Sequence, residues 1–183
     1  MRTSKLLTLA ALTLWSAIPP AHGQLARSTF DVDADGWTVV ERANDSLTVV
    51  NTRSPVYTNS GGNPNGYIHA TDAAPGFSDF YFRAPAKFLG NQQAAYGYPL
   101  MFDLISDLRD TPTQLVYSVI LTGAACTNVI TVPRMAAPNT WTHFVVMLQA
   151  GAGWMDISTG LPSTSQGLSN CLGTLQSLDI AGE

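Results

Sequence analysis

The sequence predicts an all-β protein built as an antiparallel β-sandwich. Three observations point there. Short runs of alternating or β-branched residues recur at near-even spacing, joined by turns rich in Gly, Pro and Asn. Helical signal is confined to one stretch, 168–177. Long charged side chains suited to helix faces are scarce, and Glu occurs only at positions 41 and 183.

The first strand is expected at Ser28–Val32, continuing after a turn as Gly36–Val40. Leu47–Val50 follows. Asn59 to Gly66 is a loop of residues that initiate turns or tolerate positive φ. Tyr67–Thr71 leaves it as a strand, and Phe80–Phe82 is the next. Leu100, Phe102 and Leu104 then alternate with Met101, Asp103 and Ile105. Over 115–121, Leu115, Tyr117, Val119 and Leu121 share one face, while Val116, Ser118 and Ile120 share the other, so both faces are expected to be partly covered. Asn128–Val132 is the return strand. Trp141 and Phe144–Leu148 make another, and Leu175–Ile180 the last. Leu168, Leu172 and Leu175 suit one side of a short helix.

Before these strands stands a different kind of segment. Met1 to Lys5 carries Arg2 and Lys5, Leu6 to Ile18 is nearly all apolar, and Pro19-Pro20 ends the run before Ala21-His22-Gly23. This is the pattern of a secretory leader with cleavage after Gly23. A membrane helix fits less well, because the run is short of the roughly 20 residues a span needs. The expected organisation is a leader over 1–23 and one domain over 24–183. Such a chain is expected to be secreted, extracellular or periplasmic, and not an integral membrane protein.

The 9 basic and 13 acidic residues give a net charge of −4, and removing Arg2 and Lys5 with the leader makes it −6. With no basic cluster, nucleic acid is not an expected partner. The two cysteines, Cys126 and Cys171, leave two readings open: one internal disulfide, which export permits, or two buried thiols. The disulfide ranks first.

The block Phe82 to Leu104 is the most specific stretch. An aromatic strand end meets an Ala84-Pro85 break, then Lys87-Phe88-Leu89-Gly90-Asn91, then Tyr96-Gly97 and a strand carrying Leu100 and Phe102. This resembles the laminin IV, or laminin B, domain, in the variant of short secreted bacterial members. Val119–Gly123, the Trp141, Phe144, Val146, Leu148 spacing, Trp154 and Leu175–Glu183 resemble later parts of that family. Phe30-Asp31 to Trp37 and Gly61–Ile68 match its bacterial variant. The resemblance implies a jelly-roll sandwich of galactose-binding-like type in a non-catalytic, extracellular setting. Flanking Cys-rich repeats are not seen here, so a basement-membrane role does not carry over. Relatives run on through a closing strand containing Asp-Asn, so the resemblance implies truncation of the domain at Glu183.

Candidate chemistry is sparse. Asp31, Asp33 and Asp35, ahead of Gly36, match the opening of a calcium loop. The twelfth position is Arg42 instead of a bidentate Glu, and an acidic solvated turn ranks ahead of a structural calcium. Asp72 is a further candidate ligand. No G-x-S-x-G elbow and no H-E-x-x-H occurs. His69 and His143 sit in predicted strands, and no pair of carboxylates stands in an acid–base context. No catalytic residue or organic cofactor is assigned, and the protein is expected not to be an enzyme.

Aromatic residues near loops (Trp37, Tyr57, Tyr67, Tyr96, Tyr98 and Trp154) offer a stacking platform for a sugar. Core packing ranks first for Trp37 and Trp141. Tyr96 and Tyr98, flanking Gly97, are the candidate ligand-binding residues, with Asn63 in the Gly-Asn loop. Asn44-Asp45-Ser46 is a glycosylation sequon. The first functional reading is a secreted binding or adhesion module with a glycan or extracellular protein as partner. The second is a carbohydrate-binding module, and the third a secreted hydrolase of unrecognised type.

Overall fold

The structure, a computed structural model, describes residues 6–14, 25–43, 46–71, 73, 78–106, 117–132 and 139–182. Two antiparallel sheets enclose a common core. The first contains β1 (Leu6–Leu14), β2 (Arg27–Ser28), β5 (Val56–Thr58), β6 (Tyr67–Thr71), β8 (Pro99–Ser106) and β11 (Thr142–Met147). Its order is β11-β8-β1-β6-β5, with β2 paired to β1. The second contains β3 (Thr38–Ala43), β4 (Val49–Arg53), β7 (Ser78–Arg83), β9 (Val119–Gly123), β10 (Cys126–Ile130), β12 (Met155–Asp156), β13 (Leu161–Pro162) and β14 (Leu175–Ala181). Its order is β13-β12-β10-β9-β14-β7-β3-β4. The all-β sandwich expected from the sequence is what forms.

Alternation decides which side chains enter the core. Ile68 and Ala70 of β6, Leu100, Phe102 and Leu104 of β8, and Phe144 and Val146 of β11 meet Val39, Phe82, Leu121 and Leu178 from the opposite sheet. Phe102 and Phe144 stack at 5.2 Å between ring centroids. Trp37 packs edge-on to Phe30 and Phe88, and its Nε1 donates to Ser28 Oγ at 2.8 Å. A buried indole N–H left without a partner is costly, so this bond fixes the tryptophan in the core position expected for it.

The block from Phe82 to Leu104 carries the chain from one sheet to the other. Ala84 N bonds Leu178 O, a 3-10 turn at Ala86–Phe88 drives Phe88 into the core, and Gly90 bridges Leu175. A second turn at Gln93–Ala95 leads to Gly97 N, which bonds Leu148 O before β8 begins. The block thus ties β7, β14, β11 and β8 together at one end of the sandwich.

Several boundaries differ from expectation. Ser28–Val32 is not one strand, because Phe30 takes a φ of +52° to enter the core, which ends β2 at Ser28. The helix, α1, is Ser165–Gly173, beginning before Leu168 because Thr164 Oγ1 accepts from Gly167 N at 3.0 Å. Leu175 belongs to β14, not to that helix. β5 had no separate signal. Leu115 and Val116 lie outside the described residues, as do Asp72, Asn44 and Asp45.

Ile120 is buried on the far side of its sheet, as the two-faced pattern of its strand implied. There it joins Val40, Tyr81, Val129 and Ala181 in a second apolar cluster, against which Leu47, Tyr117 and Met155 pack. Cys126, at the start of β10, is bonded to Cys171 of α1, so the disulfide reading holds. Gly123 allows this close approach, since a Cβ there would lie 2.5 Å from Cys126 Sγ.

Leu6–Leu14 belongs to the apolar run read as a secretory leader, yet in the fold it is a central strand. It pairs with β6 from Leu6 opposite Thr71 to Leu9 opposite Ile68. It pairs with β8 from Leu7 opposite Ser106 to Leu14 opposite Leu100, with an irregularity between Leu9 and Leu12.

Candidate ligand-binding face

The outward face of the first sheet gathers polar and aromatic side chains. Because Leu104 and Phe102 point inward on β8, Asp103 must point outward. The same argument turns His143 outward between Thr142 and the buried Phe144. Register places His143 opposite Asp103, and His143 Nδ1 lies 3.0 Å from Asp103 Oδ1. Asn63 Nδ2 donates to the same oxygen at 3.5 Å. Asp103 is largely buried while His143 is exposed, so the pair presents an imidazole to solvent and holds a carboxylate behind it.

The Asn59–Gly66 loop folds over this face. Gly66 has to be glycine, because a Cβ there would stand 1.9 Å from Phe30 O. Asn65 Nδ2 donates to Asp31 Oδ1 at 2.9 Å, and Trp141 Nε1 donates to Gly61 O at 3.1 Å. Tyr67 meets Trp141 edge-on at 5.9 Å and lies 5.7 Å from the His69 ring. Trp141, Tyr67, His69, His143, Asp103 and Asn63 therefore form one half-exposed patch. It contains rings for stacking, an amide donor, an imidazole and a carboxylate. Among the described residues the patch holds one carboxylate, whereas glycoside hydrolysis uses a facing pair.

Partial burial pushes the His69 pKa below its ordinary value of 6.5. The unfolded chain then binds this proton more readily than the folded one. His69 thus makes folding stability fall as pH drops below about 6.5, with no effect above it. Urea unfolding at pH 7.5 and 5 is expected to show an acid loss that His69→Gln reduces; an equal loss in both proteins would contradict this.

The candidate calcium residues are engaged separately. Asp31 accepts from Asn65, and hydrogen bonds from Thr29 and Asn65 hold its carboxyl below the usual range. Asp33 Oδ1 accepts from Asp35 N at 2.6 Å, an Asx turn, and Asp35 is paired with Lys87. Among the described residues, no group of three or more His, Cys, Asp or Glu side chains is placed to hold a metal ion.

Nor does the structure unite the three candidate ligand-binding residues. Tyr96 is half-buried against the core, with its hydroxyl accepting from Ala150 N at 3.3 Å. Tyr98 precedes β8, whereas Asn63 reaches Asp103, about 17 Å further along the chain at the usual rise per residue. Asp103 and His143 lie in strands the sequence predicts, and Trp141, expected in the core, is instead half-buried on this outer face, where the Gly61 carbonyl and the Tyr67 ring hold it. A signal was available: Asp103 is the lone charge in an apolar alternating strand, where an outward carboxylate needs a neighbour.

The laminin B (domain IV) family profile matches residues 81–183. Human laminin subunit gamma-2 is 36% identical over 113 residues, which is 62% of this chain and 8% of that protein. Laminin subunit gamma-1 of Xenopus tropicalis is 34% identical over 116 residues, 62% of this chain and 6% of that protein. The chain therefore spans a small part of these relatives. The L4b domain of human laminin alpha-2 superposes with a TM-score of 0.51 at 16% identity, covering 57% of this chain and 61% of that one. That likeness is one of fold. Among the described residues, no helix is long and apolar enough to cross a membrane.

Proposed function

The chain belongs to the laminin B (domain IV) family, and we propose that it acts outside the cell as a non-catalytic binding module. Its binding surface is the outer face of the first sheet. The observation that carries this reading is the Asp103 carboxylate held by His143 and Asn63 beside the Trp141 and Tyr67 rings. Such a set recognises a partner through stacking and hydrogen bonds, without a nucleophile activated by a base.

A glycan is the partner this chemistry favours over a flat protein surface, because ring, amide and carboxylate converge on one small patch. The platform would then be Trp141 and Tyr67, in place of Tyr96 and Tyr98. The test is a glycan array probed with the full chain and its variants. Trp141→Ala is expected to weaken a retained glycan more than tenfold, while Tyr96→Ala and Tyr98→Ala keep it. No retained glycan would remove the sugar reading and leave an extracellular protein as partner. Cleavage of any arrayed glycan would overturn the non-catalytic reading.

A further inference from the structure

His143 and Asp103 fix the polarity of the outer face. Asn63 Nδ2 donates to Asp103 Oδ1, so that oxygen acts as an acceptor. His143 Nδ1 lies 3.0 Å from the same atom. Contact between an accepting oxygen and a ring nitrogen at this distance places a proton on the nitrogen. A flipped ring would set a carbon against the carboxylate and lose the bond, so the hydrogen-bond network assigns both the ring orientation and the tautomer. In a neutral imidazole one nitrogen donates and the other accepts. With the proton on Nδ1, the Nε2 of His143 carries a lone pair.

That lone pair is what a ligand meets. The His143 side chain is 53% exposed and that of Asp103 11%, and Nε2 points away from the carboxylate that Nδ1 faces. The described residues of the patch add no cation. Partial burial holds His69 below its ordinary pKa, so its ring is uncharged at neutral pH and above. Trp141 and Tyr67 supply stacking surface without charge. The face thus combines apolar rings with a lone pair and, behind it, a carboxylate. Both polar groups accept, and a ligand has to bring the donor.

We propose that this face selects sugars by polarity: His143 Nε2 accepts a hydroxyl proton from an uncharged sugar stacked on Trp141 and Tyr67, and sugars that place a carboxylate or sulfate there are refused. An anion brings only acceptors to a lone pair and a carboxylate of its own sign. Its charge is desolvated with no donor to meet it, which is how a site rejects a wrong partner of the same shape. Asp103 is a positioning residue, acting through the tautomer of His143 and not by touching the ligand. The proposal rests on the sugar reading of this face and narrows it to one class.

The tautomer is read first, in the ligand-free full chain at pH 8, from the nitrogen NMR resonances of the His143 ring. An unprotonated ring nitrogen resonates far downfield of a protonated one, and Nε2 is expected to be the downfield nitrogen. A downfield Nδ1 overturns the proposal. The ligand class is tested with a matched pair, a methyl hexoside and its uronate, which share a ring and differ by one carboxylate. The hexoside is expected to shift the Nε2 resonance saturably, and the uronate to bind at least about tenfold more weakly. Equal binding of the two overturns the proposal. Asp103→Asn, whose amide can donate to Nδ1, is expected to move the ring toward a proton on Nε2 and to cut the discrimination below about threefold. His143→Gln, an exposed substitution, is expected to lose the discrimination with near-unchanged melting; a variant that keeps it overturns the role of the ring. Silence from the hexoside, with no glycan retained on the array, removes the sugar reading and the ligand assignment together. A glycan retained on the array with the wrong tautomer, or with the uronate bound equally, overturns this inference alone.

Discussion

Asp179→Ala is expected to destabilise the fold by about 3–5 kcal/mol, the cost of breaking a buried ionic group by removing one partner. Asp179 is fully buried on β14, in the centre of the eight-stranded sheet. Arg83 Nε and Nη2 reach its two oxygens at 2.8 and 2.9 Å, and Arg42 Nε reaches Oδ2 at 3.0 Å. A guanidinium keeps its charge in a protein whatever its partner, so both cations remain when the aspartate goes. Two cations then face each other at the border of the second apolar cluster. Thermal melting is expected to fall by roughly 10 °C, at the few degrees per kcal/mol typical of a domain this size. Converting Arg42, Arg83 and Asp179 together to apolar residues is expected to cost far less, since no uncompensated charge remains. Lys87→Ala, which removes the half-exposed Asp35 partner, is the control and is expected to cost under about 1 kcal/mol. A loss below 1 kcal/mol for Asp179→Ala would show that the triad is not a structural keystone.

Loss of the Cys126–Cys171 disulfide is expected to cost a similar amount. The bridge joins residues 45 apart in sequence, and closing such a loop stabilises by roughly 4 kcal/mol in the chain-entropy model. It fixes α1, with its buried Leu168 and Leu172, against β9 and β10. Cys171 is fully buried, so reductant should act slowly on the native protein and rapidly in urea. The measurement is urea unfolding of Cys126→Ser with Cys171→Ser against the oxidised chain. Coincident midpoints would show that the bridge contributes nothing.

Strand identity was legible where one face is buried and the other is not. Tyr67–Thr71 matched its expected limits, and Leu100–Ile105 and Phe144–Leu148 were close, because alternation there reports directly on burial. It failed at Ser28–Val32, where a single residue, Phe30, leaves extended geometry to fill space beside Trp37. Local pattern carries no information about a gap in the core. The start of α1 was hidden for a related reason. Thr164 as a cap matters only once Leu168 and Leu172 have a surface to cover.

The candidate site was less legible. Tyr96 and Tyr98 looked available because they flank a glycine, but Tyr96 is occupied by core contacts and a bond to the 150 backbone. Asp103 and His143 are 40 residues apart, and only the pairing of β8 with β11 makes them neighbours. Asp31, Asp33 and Asp35 have a metal-loop spacing, yet the chain turns through positive φ angles at Phe30, Asp35 and Gly36, and the three carboxylates engage Asn65, the Asp35 amide and Lys87 respectively.

The sequence alone determined the sandwich class, the family-bearing crossing block and the two cysteines available for a bridge. These depend on alternation, turn chemistry and residue type, which are local. Tertiary structure alone decided which outward residues meet, which buried charges pair and where Leu6–Leu14 sits. Those depend on strand order and register, which bring distant residues within bonding distance and which no local pattern encodes.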